Sequence, residues 1–143
     1  MPITKDEVVA LAVAFHDVVK TGGTAAEQAR FFLHPEPRIF ILHGEDVSLQ
    51  ANYEIHQRMT DERHLVIEPW DVTLLSESPE RARAVGTIYW EGRLKDSPDG
   101  ALIKCIVGED WVVQRRPSGE LKIALYVNAY HRFLPDGAPI DLK

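Results

Sequence analysis

Six histidines, His16, His34, His43, His56, His64 and His131, are the residues of this chain best suited to chemistry at neutral pH. Imidazole is the side chain whose ordinary pKa lies closest to neutrality, so histidine is the first candidate for a general acid or base. His56 falls in line with Leu49, Tyr53 and Met59 at helical spacing. His131 follows an alternating apolar run near the end of the chain, and His43 is in phase with Ile41 on a short apolar stretch. His56 and His131, facing each other across a hollow, could move protons in a dehydration or an isomerisation, and they are the candidate catalytic pair. The plainer explanation of each is a hydrogen-bonded histidine of the core or rim.

Three tryptophans could wall such a hollow. Trp90 shares a strand face with Gly86 and Ile88, while Trp70 and Trp111 read equally well as core. Tyr53 could donate a hydrogen bond to a substrate oxygen. Cys105 sits inside the apolar pattern Ile103-x-Cys105-x-Val107, which suggests a buried, inert thiol. Glu109 and Asp110 point to opposite faces if extended, with Glu109 on the Trp111 side as an inward carboxylate. Arg115-Arg116 reads as solvated charge at a hairpin end. No His-x-x-x-His or His-Glu-x-x-His occurs, so the spacing offers no metal site, and no cofactor motif appears.

Helices and strands must position these groups. Val8, Leu11, Ala12, Phe15, Val18 and Val19 recur at helical spacing over residues 4–20. Thr4 and Glu7 form a capping box, Ile3 and Val8 a hydrophobic staple, and Gly22-Gly23 the stop. Thr24 and Glu27 repeat the box and open a second helix to about Leu33, broken by Pro35 and Pro37. A short strand over 38–43 stops at Gly44, and a third helix follows over 46–59. The spans 64–76, 81–95, 101–116 and 120–134 are strand-like, and turn residues separate them at 76–80, 97–100 and 117–119. Short turns between long strands give an antiparallel meander.

On the second of these strands Ala84, Gly86, Ile88 and Trp90 make one face, read as the concave wall, with space left by the small residues. On the last, strict alternation puts Leu121, Ile123, Leu125, Val127, Ala129 and His131 together. Lys122, Tyr126, Asn128, Tyr130 and Arg132 then lie opposite. An outer face with two tyrosines between charged ends suits a protein interface, and hence a homodimer through the convex side of the sheet.

The chain has 143 residues, favouring a single domain over 1–143, with 45% hydrophobic and 27% charged residues, enough for a core. A net charge of -6 disfavours nucleic acid and anionic membranes as partners. No apolar run reaches the roughly 20 residues that cross a bilayer. One cysteine and an N-terminus without a basic and apolar leader lead to the expectation of a cytoplasmic protein.

The order of elements, with the stretches Phe32-Leu33-His34-Pro35-Glu36-Pro37-Arg38-Ile39, Gly119-Glu120-Leu121-Lys122-Ile123 and Asn128-Ala129-Tyr130-His131, resembles the NTF2-like (SnoaL-like, ketosteroid-isomerase-like) superfamily over nearly the whole chain. The resemblance implies an α+β, cystatin-like cone. Three N-terminal helices would pack on a strongly curved antiparallel sheet, enclosing a pocket, and the assembly is commonly dimeric. It implies no single function, since the superfamily holds isomerases, dehydratases, cyclases and non-catalytic modules. The ketosteroid-isomerase-like Tyr/Asp/acid set falls on Phe15, Ile41 and Trp111, which lack that proton chemistry. The expected pocket therefore binds a small, largely apolar organic ligand through Phe15, Tyr53, Met59, Trp90 and Trp111. It either has no catalytic role or serves a cofactor-independent lyase or isomerase with His56 and His131 as acid and base.

Overall fold

A computed structural model describes residues 2–41, 46–97 and 100–138. Helix α1 spans Lys5–Lys20. The Thr4 hydroxyl accepts from the Glu7 amide and the Glu7 carboxylate accepts from the Thr4 amide, so two otherwise orphan donors are satisfied. The helix ends where Gly22 turns to φ +82 and the Gly23 amide reaches back to the Val18 carbonyl at 2.8 Å. Helix α2, Ala25–Ala29, carries the second capping box and stops well short of Leu33. Strand β1 covers Arg38–Phe40.

The third helix begins later than its periodicity predicts. Residues Asp46–Ser48 form a strand, β2, that pairs antiparallel with β1, and Ser48 then caps helix α3, Leu49–Gln57. His43, Gly44, Pro98 and Asp99 fall outside the described residues. Four long strands follow: β3 (Met59–Glu77), β4 (Glu80–Leu94), β5 (Ile103–Arg115) and β6 (Leu121–Phe133). The sheet order is β2-β1-β6-β5-β4-β3. The meander from β3 to β6 is antiparallel as expected. The sheet as a whole is mixed, because β1 pairs parallel to β6 through Ile39 and Phe40.

Helix α1 lies over the sheet with Val8, Ala12, Phe15, His16 and Val19 buried. Arg115 at the end of β5 fixes the start of that helix, reaching Glu7 at 3.0 Å and Glu80 at 3.1 Å. Phe15 packs edge-on against Phe31, Phe32, Trp111 and Tyr126, joining α1 to the sheet. Fully buried Gln28 donates to the Gly23 carbonyl and accepts from Asn52, which ties α3 to the α1–α2 corner. No helix of the described residues is long and apolar enough to cross a membrane.

Bulges overturn part of the predicted alternation. Ala124 stands unpaired between Ile123↔Val113 and Leu125↔Val112, and Ala129 between Asn128↔Glu109 and Tyr130↔Gly108. Each shifts the phase by one residue. Ile123, Tyr126, Asn128 and His131 therefore face inward, while Leu125 and Tyr130 are exposed. With Tyr126 buried, the two-tyrosine outer face does not exist.

A third irregularity sets Glu68, Pro69 and Trp70 of β3 opposite Gly86 alone. The space that Gly86 leaves is filled by Trp70, which is completely buried. A Cβ at Gly86 would lie 2.1 Å from the Trp70 ring, far inside contact distance. Gly86→Ala is therefore expected to destabilise the fold by about 1–3 kcal/mol through overpacking. Urea unfolding should show a lower midpoint with an unchanged slope; a wild-type midpoint would mean that Trp70 moves aside freely.

Candidate active site

Between α1, α3 and the concave face of the sheet lies a cavity of about 130 Å³. This is close to the room taken by a single aromatic ring. Val19, Ile55, Met59, Ile88, Trp90 and Val107 supply much of the apolar wall, and Phe15 and Ile41 also line it. His16, His56, His64, His131, Glu109 and Asn128 bring polar groups to the same space. Of the ligand-binding candidates, Phe15, Met59 and Trp90 line the cavity and Tyr53 and Trp111 do not. Tyr53 is half-buried elsewhere on α3, and Trp111 is fully buried behind the wall, its indole donating to Glu109 at 3.0 Å. His56 and His131 both line the cavity, but the partner of His56 is Glu62.

Glu62 was hidden in the sequence because the predicted strand began at His64. Strand β3 starts at Met59 and bulges at once, with Asp61 (φ +54) and Glu62 together opposite Gly92. Beyond the bulge, Glu62 and His64 are two apart on a strand and share a face. His56, on the last turn of α3, places Nδ1 2.9 Å from Glu62 Oε2; His64 Nε2 is 2.7 Å from the same oxygen, and Trp90 Nε1 donates to it at 3.1 Å. The spacing Glu62-x-His64 was the available signal, legible only if the strand is started five residues earlier.

The chain of contacts continues across the cavity wall. His64 Nδ1 lies 3.1 Å from His16 Nδ1, and His16 Nε2 lies 3.3 Å from Glu109 Oε1. The latter is an ion-pair distance without hydrogen-bond alignment, so His16 Nε2 has no well-directed partner. Glu109, inward as its phase predicts and only 1% exposed, accepts from Trp111 Nε1, from Asn128 Nδ2 at 2.8 Å and from the Tyr126 hydroxyl at 3.2 Å. Burial, with the adjacent Glu109 charge, pushes the Tyr126 phenol well above its ordinary value, so it acts as a donor. Cys105 lines the cavity as a thiol, pushed up to about 11 by burial.

Electrostatics fix the roles of Glu62 and His64. Burial alone would raise the Glu62 carboxyl, but hydrogen bonds from His56 and His64, with the charge those rings carry once protonated at low pH, outweigh it and hold the group at about 2. Burial pushes His64 down to about 4, helped by its histidine neighbours and opposed only in part by Glu62. At neutral pH Glu62 is a carboxylate, able only to accept, and His64 is a neutral ring. The His64 hydrogen therefore sits on Nε2, and its Nδ1 accepts from His16 Nδ1. His56 Nδ1–H donates to Glu62, which leaves His56 Nε2 free as a base; it makes no hydrogen bond among the described residues.

No protein-family profile matches the chain, and no curated protein matches it. Solved structures do. A candidate scytalone dehydratase from Novosphingobium aromaticivorans superposes with TM-score 0.71 at 10% identity, covering 94% of this chain and 88% of that one. A candidate dehydratase of the NTF2-like family from Streptomyces avermitilis gives 0.65 at 17% identity, covering 87% and 96%. This chain has the NTF2-like fold. A candidate aromatic ring hydroxylase, also from Novosphingobium aromaticivorans, gives 0.68 at 15% identity over 92% and 94%. At such identities the likeness is one of NTF2-like architecture, which by itself fixes no function.

The buried charges tie stability to pH. His64 binds a proton more weakly folded than unfolded, so stability falls as pH drops from about 6.5 towards 4. Glu62, with its folded value depressed, contributes stability that is present above about 4.5 and lost as pH falls towards 2. A displacement of this size is worth about 3 kcal/mol, though the linked groups titrate as a unit and do not simply add. Chemical unfolding at pH 7, 5.5 and 4 should show a progressive loss. In Glu62→Gln the loss below pH 4.5 should flatten; an unchanged acid limb would place the effect elsewhere.

Proposed function

We propose that the chain is a cofactor-independent lyase or isomerase that takes a proton from a small, largely apolar, carbonyl-bearing compound. The observation that supports this reading most directly is His56 on the cavity wall, its Nδ1–H held by the buried Glu62 carboxylate and its Nε2 without a hydrogen bond among the described residues. A carboxylate behind an imidazole fixes its tautomer and stabilises the imidazolium that forms on proton uptake. The apolar wall lowers the local dielectric and so strengthens this pairing. Glu109, held by Asn128, Tyr126 and Trp111 and joined to His64 through His16, offers a second proton-handling group within the same cavity. His131, also on the wall, is the candidate for returning the proton or protonating a leaving hydroxyl. The cavity volume and apolar lining fit a one-ring ligand, and the names of two structural neighbours are compatible with a dehydration.

The apolar wall also favours a second reading, a binding module without turnover. Proton exchange separates the two without knowledge of the natural substrate. Small cyclic ketones incubated with the protein in D2O should exchange their α-protons faster than in buffer, followed by NMR. His56→Ala should reduce this acceleration at least about 100-fold, as befits a general base, in protein whose circular dichroism shows it folded, since losing a donor to Glu62 also lowers the melting temperature. Ligands that bind without any His56-dependent exchange would leave the binding module as the function.

A homodimer through the convex face belongs to the same reading, on a different footing from the tyrosine pattern. Val85, Leu125 and Tyr130 are 38%, 40% and 46% exposed on that face, flanking the Arg83–Asp110 ion pair. Sedimentation at micromolar concentration should give twice the 16.2 kDa of one chain, and Leu125→Glu should return it to a monomer. A wild-type monomer would remove the dimer.

A further inference from the structure

One ligand atom from each of His56, Glu62 and His64 lies within 4.8 Å of the other two. Two imidazoles and a carboxylate are a donor set for a zinc-like ion that keeps an open position. The three residues come from the end of α3 and the start of β3, so the chain presents them on rigid backbone rather than on a loop. Both histidines line the cavity, which provides the open side. We propose that His56, Glu62 and His64 bind a divalent transition-metal ion of the Zn2+ and Co2+ class, with its fourth position open to the cavity.

The distances are compatible. His56 Nδ1 and His64 Nε2 lie 2.9 and 2.7 Å from Glu62 Oε2. A tetrahedral ion holding each ligand at 2.0–2.1 Å would set them about 3.3 Å apart, an opening of roughly half an ångström. The Trp90 indole donates to Glu62 Oε2, while Oε1 lies 3.0 Å from His56 Nδ1, so the carboxylate can offer the ion either oxygen.

The outer contacts point the same way. A metal-bound histidine donates its other ring N–H to a neighbour that fixes its tautomer. With an ion on Nε2, His64 carries its hydrogen on Nδ1 and donates it to His16 Nδ1, 3.1 Å away. His16 then carries its own hydrogen on Nε2, facing Glu109 Oε1 at 3.3 Å. Each ring of this row then points one hydrogen at the next acceptor. His16 Nε2, the buried atom without a directed partner, gains a complementary role with no added proton.

This site shares side chains with the reading above but does not rest on turnover. An ion on His56 Nδ1 moves that ring's hydrogen to Nε2 and so removes the free base. Proton abstraction by His56 therefore belongs to the metal-free protein, and a bound ion should inhibit it.

The test is titration of chelator-stripped protein with Co2+. One equivalent should produce the intense visible bands of a four-coordinate ion, and Zn2+ should bleach them. His56→Ala should weaken binding at least about tenfold, whereas His34→Ala, a surface histidine, should not. Zn2+ should raise the melting temperature of the wild type and not of His56→Ala. If His56→Ala does not fold, Glu62→Gln reads the same loss. Equal Co2+ uptake by wild type and both variants, or only the pale spectrum of the aqueous ion, would overturn the site. Co2+ bands without proton exchange would keep the metal and discard the lyase or isomerase; His56-dependent exchange without Co2+ bands would do the reverse.

Discussion

Two carboxylates sit inside this protein, and keeping them there constrains everything around them. An isolated buried carboxylate costs several kcal/mol, so each must find donors in place. Glu62 takes them from α3, β3 and β4 through His56, His64 and Trp90. Glu109 takes them from β5 and β6 through Trp111, Tyr126 and Asn128, and meets α1 through His16. The His16–His64 contact joins the two clusters. Two helices and all four long strands thus converge on one row of polar atoms. A shift of any of them by an ångström would strand a charge, and this makes the relative placement of helices and sheet specific where apolar packing alone would tolerate sliding.

How much of this was legible in the sequence depends on the distance over which the signal acts. Thr4 and Glu7, or Thr24 and Glu27, are three residues apart and cap their helices by local geometry alone. The meander followed from turn residues, and the inward phase of Ala84, Ile88 and Trp90 from alternation on an unbulged stretch. The failures share one cause. Alternation holds only while the ladder is regular, and β3 and β6 are bulged where they carry site residues. Ala124 and Ala129 have no distinctive chemistry, yet each turns over the faces beyond it, bringing Tyr126 and Asn128 inside. The Asp46–Ser48 strand was read as helix because helical periodicity continues through Leu49, and pairing with β1 outweighed it.

The bulges are also what makes the site possible. Without the extra residue at Ala129, the strand that turns Asn128 inward to Glu109 could not also turn His131 towards the cavity, since residues three apart fall on opposite faces of a regular strand. Without Asp61 and Glu62 sharing the place opposite Gly92, Met59 and Glu62 could not both belong to the inner side. Gly92 permits this crowding: a Cβ there would come within 2.9 Å of Trp90 and 3.4 Å of Glu62. Backbone irregularity is thereby exchanged for a denser ring of polar groups than a regular sheet can aim at one point.

The position of that ring explains why chemistry and stability are hard to separate here. His56 and Glu62 also line a second, polar groove on the outer side, shared with Lys20, Thr21 and Lys95. The dyad therefore stands between an apolar chamber and a route to water. A base in the chamber alone would have no means of passing on its proton, and one in the groove alone would be levelled by solvent. At that boundary, His56 lines both spaces while its Nδ1 rests on the Glu62 carboxylate, which His64 also contacts. Glu109 does not reach the groove: it lines the cavity, backed by Trp111 and Tyr126, and meets the dyad through His16 and His64. The neutrality of His64 is thus the junction of the design. A cationic His64 would donate from both nitrogens, repel the His16 N–H and break the row in two.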